Sequence, residues 1–352
     1  MKKAEFDLYT DYLLSTFGAA TVTGLSAMVE GEVSHDRIAR FLSERNYTAR
    51  DSWQQVKSTV RQIQRADRVL IFDDTPQEKA WNDESELMCW HYHPCSGRNI
   101  SGINPLNALY HCSGTSIPVV FEFVRKPFEY RDIETRQVKR KGKVTNNELM
   151  RQIIDTCLHN TLPFRFVLID SWFFSGENFN FITSKVKQFV TGLKDNRPVA
   201  LTKEIRKNKR FLRVEKLDFP EQTAVQGWLK KYANAVLFVC QVFTNKDGST
   251  GILQLICSNL TSNHDAITRT YKKRWKVEVF HKSLTLNANL AKSPTRTVRT
   301  QSNHVFMVIR AAFKLECLRI KNKLNPFALC RKLLINASCA AYAELQRFRA
   351  TV

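Results

Sequence analysis

Two short apolar runs, each closed by aspartate, most tightly limit how this chain folds: VLIFDD at residues 69–74 and FVLID at residues 166–170. Runs of this length and composition read as strands. A carboxylate at the end of a buried strand is costly unless it opens into a cleft, is paired, or binds a metal. A single strand-end Asp often does no more than cap the next turn. Two in one sheet point instead to a shared site at Asp73 or Asp74 and at Asp170. Between them, ISGINPLNALYHC and TSIPVVFEFVRK flank Ser113-Gly114 as a hairpin, so residues 68–125 predict a three-stranded meander with a polar, Trp-containing insert. Thr145 and Glu148 have capping-box spacing and predict the start of a helix before the second run.

A third acid sits in a basic setting. In YKKRWKVEVFHKSLT, residues 271–285, Val277, Phe280 and Leu284 recur at helical spacing. On one continuous helix, Tyr271, Arg274, Glu278, Lys282 and Thr285 fall within roughly 80° of one another, opposite the apolar set. An exposed helix with i,i+4 ion pairs accounts for this pattern when it is taken alone. With Asp73 and Asp170 it becomes an oxygen-only set of three carboxylates, suited to Mg²⁺ or Mn²⁺. Two such ions can clamp the attacking and leaving oxygens of a phosphodiester, with Arg274 and Lys282 on phosphates and Tyr271 hydrogen-bonded to one.

Charge supports a polyanionic partner. The chain of 352 residues carries a net +21, and residues 263–352 hold 18 Lys and Arg but only four acids. A chain this basic meets nucleic acid more readily than a membrane surface. No apolar run approaches the ~20 residues needed to span a bilayer, and the N-terminus lacks the features of a signal peptide. Nine scattered cysteines without a CxxC fit a reducing cytosol. There is no GxGxxG and no Walker A, so ATP is not implied.

Along the chain, residues 1–66 read as helical, with Ser34 as an N-cap and Ile38, Phe41 and Leu42 on one face. Two short helices around Gly31 have the layout of a helix-turn-helix, one that ordinary helical hairpins share. Residues 126–144 read as a charged loop, and 196–260 as β-rich, with a turn at Asp247-Gly248. Helices follow from residue 263. The expected division is a helical DNA-binding region (1–66), a core (67–195), a β insertion (196–260), core helices carrying Glu278 (261–325) and a C-terminal helix (326–352). Trp228, beside Lys230 and Lys231, offers a ring for an unpaired base, or else a hydrophobic anchor. His91, His93 and Cys95, with His111 and Cys112, lack the spacing of a zinc site. His281 and His304 read as structural histidines near the acids.

The three acids in this setting resemble the insertion-sequence DDE transposases of the Y–R–E–K signature group. Tyr271, Arg274 and Glu278 match the signature, and Thr285 stands where its distal Lys belongs. The Glu278–Lys282 run, EVFHK, resembles the E-x-F-H-K run of some members. The likeness extends to Asp73-Asp74-Thr75, to Leu168–Ser171 and to the β-rich segment before Glu278. It implies an α/β, ribonuclease-H-like mixed sheet flanked by helices, with an all-β insertion and helical N- and C-terminal regions. It further implies catalysis by Asp73, Asp170 and Glu278, with Asp74 as rival first ligand, and DNA contacts from Tyr271, Lys272, Lys273, Arg274 and Lys282. The reaction implied is two-metal hydrolysis at transposon ends, then strand transfer by the freed 3′-hydroxyl. Its partners would be inverted-repeat and target DNA and a second copy of the chain, in the cytoplasm at the nucleoid. A metal-dependent nuclease or resolvase, or a non-catalytic DNA-binding descendant, would share much of this pattern.

Overall fold

The computed structural model describes residues 3–65, 68–94, 96–217, 219–245 and 247–350. Four helices lead: α1 (Lys3–Ser15), α2 (Val22–Met28), α3 (His35–Ser43) and α4 (Ala49–Ile63). The first apolar run is β1 (Val69–Asp74). A small sheet of β2 (Gln77–Glu78), β3 (Cys89–His93) and β4 (Arg98–Ile103) comes next, then the long hairpin β5 (Pro105–Cys112) and β6 (Thr115–Phe123). An exposed hairpin, β7 (Phe128–Arg131) and β8 (Val138–Lys141), precedes α5 (Asn146–His159), β9 (Phe166–Ile169), α6 (Gly176–Ser184) and β10 (Gln188–Gly192). Then come β11 (Pro198–Ala200), α7 (Lys203–Lys207), β12 (Leu212–Arg213), β13 (Ala224–Leu229), β14 (Ala235–Thr244) and β15 (Thr250–Cys257). The chain ends in α8 (His264–Lys272), α9 (Trp275–Leu286), α10 (Val298–Asn322) and α11 (Pro326–Ala350).

The predicted meander forms: β1 pairs antiparallel with β5, and β5 with β6. β9 then lies parallel to β1, and β10 parallel to β9. Strand order β6-β5-β1-β9-β10, with helices on both faces, is the ribonuclease-H-like arrangement. On the far side of β10 the sheet continues without a break through β15, β14, β13, β11 and β12. The β-rich segment therefore extends the core sheet. The turn at Asp247-Gly248 joins β14 to β15, with Gly248 at φ 83° and the Asp247 carboxylate accepting from the Ser249 amide at 3.0 Å.

Pleating divides the core in two. Leu70 and Phe72 of β1 pack with α4, α5 and α6, whereas Val69 and Ile71 pack with α1, α3, α8, α9 and α10. α5 begins as expected: Thr145 Oγ1 accepts from the Glu148 amide at 3.2 Å, and Glu148 accepts from the Thr145 amide at 2.7 Å. The Ser34 N-cap of α3 likewise accepts from the Arg37 amide. The N-terminal helices are fastened into the body of the molecule. Ile38, Phe41 and Leu42 join the core beside α10, and the Asn303 side chain bonds to Leu42 O, Arg45 O and the Tyr47 amide.

Three expectations need correction. Residues 126–144 are not a loop but include the β7–β8 hairpin, closed by ion pairs of Lys139 with Asp132 and Arg140 with Glu129. Opposite charges facing each other across the two short strands favour it, and Arg140 also reaches Glu84 outside the hairpin at 3.6 Å. RFLRVEKLDF contributes only the two residues of β12 before a 3₁₀ turn at Val214–Lys216. Residues 271–285 are not one regular α-helix: between α8 and α9 the bonds tighten to i→i−3 from Lys273 to Val277, while Lys273 and Arg274 keep helical dihedrals.

Candidate active site

Parallel pairing of β1 with β9 places Ile71 opposite Leu168, so Asp73 and Asp170 follow two residues on, at the carboxyl ends of neighbouring strands. Ile71 and Leu168 both face the cluster under α8–α10, and side-chain alternation gives Asp73 and Asp170 that face. Asp170 also caps the 3₁₀ turn Ser171–Phe173, its carbonyl accepting from the Phe173 amide at 3.0 Å. Asp74 belongs to the opposite face. There its Oδ2 accepts from Asn104 Nδ2 at 2.7 Å and from Asn146 Nδ2 at 3.4 Å.

α9 brings the third acid. Val277, Phe280 and Leu284 are buried in the core under the sheet, and this anchoring leaves Glu278 in the helix's first turn, where a negative charge suits the helix dipole. Burial changes what Tyr271 and Arg274 do. Arg274 is only 7% exposed, and its Nη1 lies 3.2 Å from Asp73 Oδ2 and 3.4 Å from Glu278 Oε1. The guanidinium is stacked near Trp275, 5.0 Å from the ring centre. Tyr271, 4% exposed, turns its hydroxyl to the Gly192 backbone, where a Cβ would come within 3.1 Å of it. The expected Tyr271 contact with a DNA phosphate is thus replaced by a buried support for Arg274, because α8 packs this face against β10, β14 and β15.

Charge is crowded here. Burial pushes the Asp73 carboxyl up to about 8; Arg274 opposes the rise, while Asp74, Glu278 and Asp170 add to it. Burial also raises Asp74, against its bond from Asn104. Burial draws the Arg274 guanidinium down, but Tyr271, Asp170, Asp73 and Glu278 hold it above its ordinary value. His281, one turn after Glu278, is pushed down to about 3 by burial and by Arg274, so it is neutral. Its Nε2 accepts from Asn107 Nδ2 at 3.3 Å, and Asn107 is the residue directly across from Asp73 on β5. One ligand atom each from Asp73, Glu278 and His281 lie within 4.8 Å of one another, the only such group among the described residues.

The donor set fits a hard divalent cation. Asp73 and Glu278 share the buried guanidinium of Arg274, and the acceptors Asn107 Oδ1 and Asn104 Oδ1 are buried without a partner. The ligand atoms close enough together to share such an ion are those of Asp73, Glu278 and His281, while Asp170 ends the neighbouring strand on the same face. Asn104 and Asn107 were not foreseen, because only pairing of distant segments brings them to the acids, whereas His281, expected near the acids as a structural histidine, sits one turn from Glu278 on α9.

Of the remaining sequence candidates, Lys272 and Lys282 are exposed and Lys273 is half-buried. Trp228 is no base platform: it lies buried in β13, paired with Ala200 and Ala235, with Arg206 beside its ring. Hydrophobic anchoring is the reading that holds. His304 is fully satisfied, accepting from Tyr9 Oη and donating to Asn289 O. His91 sits against Cys89, His93 against Ser96 and His111 against Ser116, while Cys95 lies outside the described residues.

A ribonuclease-H-like sheet with acids at these strand ends defines a class of metal-dependent nucleases, and residues 1–210 match the DDE superfamily endonucleases. Residues 133–313, spanning Asp170 and Glu278, match the transposase DDE domain. The chain belongs to the DDE transposases. Its chemistry is accordingly of the nuclease type and its partner is DNA; enzymes of this family use divalent metals. No curated protein matches the chain. No helix among the described residues is long and apolar enough to cross a membrane.

Proposed function

We propose that this protein is a transposase of the Y–R–E–K signature group, cutting at the inverted repeats of its element and joining the freed 3′-hydroxyl to target DNA. The observation that carries the reading is the parallel register of β1 and β9, which sets Asp73 beside Asp170 on the face that α9 covers with Glu278. These three acids hold the metal, and Asp74, tied to Asn104 and Asn146 on the other face, supports the strand end. Mg²⁺ or Mn²⁺, when bound, supplies Lewis-acid activation of the attacking oxygen and stabilises the leaving one. Arg274 orients Glu278 against Asp73 and offsets part of their repulsion, and Tyr271 with Gly192 fixes Arg274. Neutral His281, held by Asn107, keeps the floor of the site uncharged. Exposed Lys272 and Lys282 flank the opening and hold DNA phosphates, a role the signature's distal Lys cannot take here because Thr285 occupies its place.

Asp170→Ala or Glu278→Ala is expected to lower cleavage of an inverted-repeat substrate by about 10³-fold or more, with end binding nearly unchanged. Cleavage at the normal rate by either variant would remove that residue from the site. A strand-transfer assay on precut 3′-OH ends separates a transposase from a nuclease or resolvase, which would cut without joining.

Joining two ends requires two sites, and α11 offers the contact between copies. From Arg331 to Ala350 it is exposed on every side, Leu333, Leu334, Ile335, Leu345 and Phe348 included. A helix gains most of its stability from packing an apolar face. Antiparallel pairing of two copies, centred between Ala337 and Ser338, sets Arg331 opposite Glu344 and Leu334 opposite Ala341.

A further inference from the structure

Beside the acids lies a group of large aromatic side chains for which the core has no use. Trp172 stands two residues after Asp170, in the 3₁₀ turn that Asp170 caps. Its neighbour Phe173 is buried and supplies the packing for this turn, whereas Trp172 is 56% exposed. From a different part of the chain, β3 of the small sheet turns Tyr92 toward it, with ring centres 5.9 Å apart and planes tilted by 53°. Tyr92 is 51% exposed. Trp90, on the same outward face of β3, is 54% exposed. Two separate segments thus bring rings together and still leave about half of each in water.

The group carries positive charge. Lys194 Nζ lies 4.2 Å from the centre of the Trp172 ring, and the Lys126 amine donates to the Trp90 carbonyl. Exposed aromatic rings interleaved with lysines are how proteins hold unpaired nucleic acid: bases stack on the rings and the backbone follows the cations. Lysine, which protein interfaces tend to avoid, favours a nucleic acid over a protein partner. Position adds to this: Trp172 lies in the turn that directly follows Asp170.

We propose that Trp172 and Tyr92, with Lys194, form a stacking platform for an unpaired base next to the phosphodiester being cut. This rests on the DNA-cleaving reading of the acids and adds a subsite to it. The platform takes over the role that Trp228 suggested from sequence. It holds the DNA in an opened form at the strand ends, and it is blind to base identity because every base has a flat face.

The test uses the full chain in metal-free buffer and two fluorescent DNA probes of the same sequence, one fully paired and one with three unpaired nucleotides at its end. The wild type is expected to favour the unpaired end and to quench a 2-aminopurine placed there. Trp172→Ala and Tyr92→Ala should each weaken binding of that probe by about tenfold, within the range for loss of one stacked base, and leave duplex affinity unchanged. Trp172→Phe should keep part of the preference and of the quenching. If Trp172→Ala retains both in full, or if it loses affinity for the two probes equally, the platform is wrong while the DNA reading stands. Failure of the wild type to bind either probe would overturn both.

Discussion

Asp73 bears the sharpest conflict in the molecule, since the fold buries a carboxyl that chemistry needs ionised. Its folded value of about 8 lies above that of an unfolded aspartate. Between pH ~4 and 8 the folded state therefore holds a proton that the unfolded state has lost, and stability falls as pH rises through that window. Asp73→Asn should raise the melting temperature of the metal-free protein at pH 8, with the gain fading toward pH 4; thermal melts at several pH values check this. Divalent ions should then stabilise the wild type and not the variant. Arg274 has the opposite role. Arg274→Ala leaves Asp73 and Glu278 without their cation and should cost about 2 kcal/mol in denaturant melts, less than a fully buried pair because Glu278 remains half-exposed. Added Mg²⁺ should recover more stability in this variant than in the wild type.

Among the elements, legibility followed the range of the forces involved. The Thr145–Glu148 box was readable because it needs four residues, and Thr145→Ala should cost about 1 kcal/mol by chemical denaturation. Strands ending in acids were readable because a fully apolar run has few other fates. The helix of Glu278 was read in the right place but with the wrong continuity. Its angular pattern put Tyr271, Arg274 and Glu278 on one face, which holds, but Tyr271 and Arg274 are packed inward and not open. No local pattern forces this: packing of Tyr271 against Gly192 and pairing of Arg274 with two carboxylates decide it.

At the scale of the whole molecule, ten strands form one sheet that carries both the strands with the acids and the inserted strands, with α1, α2 and α3 over one face and α4 over the other. α11 departs from this body with Cys330 as its one buried residue. If it joins two copies, Leu334→Asp combined with Leu345→Asp should shift sedimentation from dimer to monomer and leave the far-ultraviolet spectrum of the body intact. A dimer that survives both changes would place the contact elsewhere.

By itself the sequence determined the strands, their terminal acids, the helix with Glu278 and the basic charge that suits DNA, since each follows from composition or spacing over a few residues. Tertiary structure alone decided which of Asp73 and Asp74 faces Glu278, that Asn107 and His281 close the site, that Trp228 is buried, and that Trp172 meets Tyr92. Each of these depends on strand register or on packing between segments distant along the chain, and a side chain's neighbours across a sheet are set by pairing energies that no local pattern records.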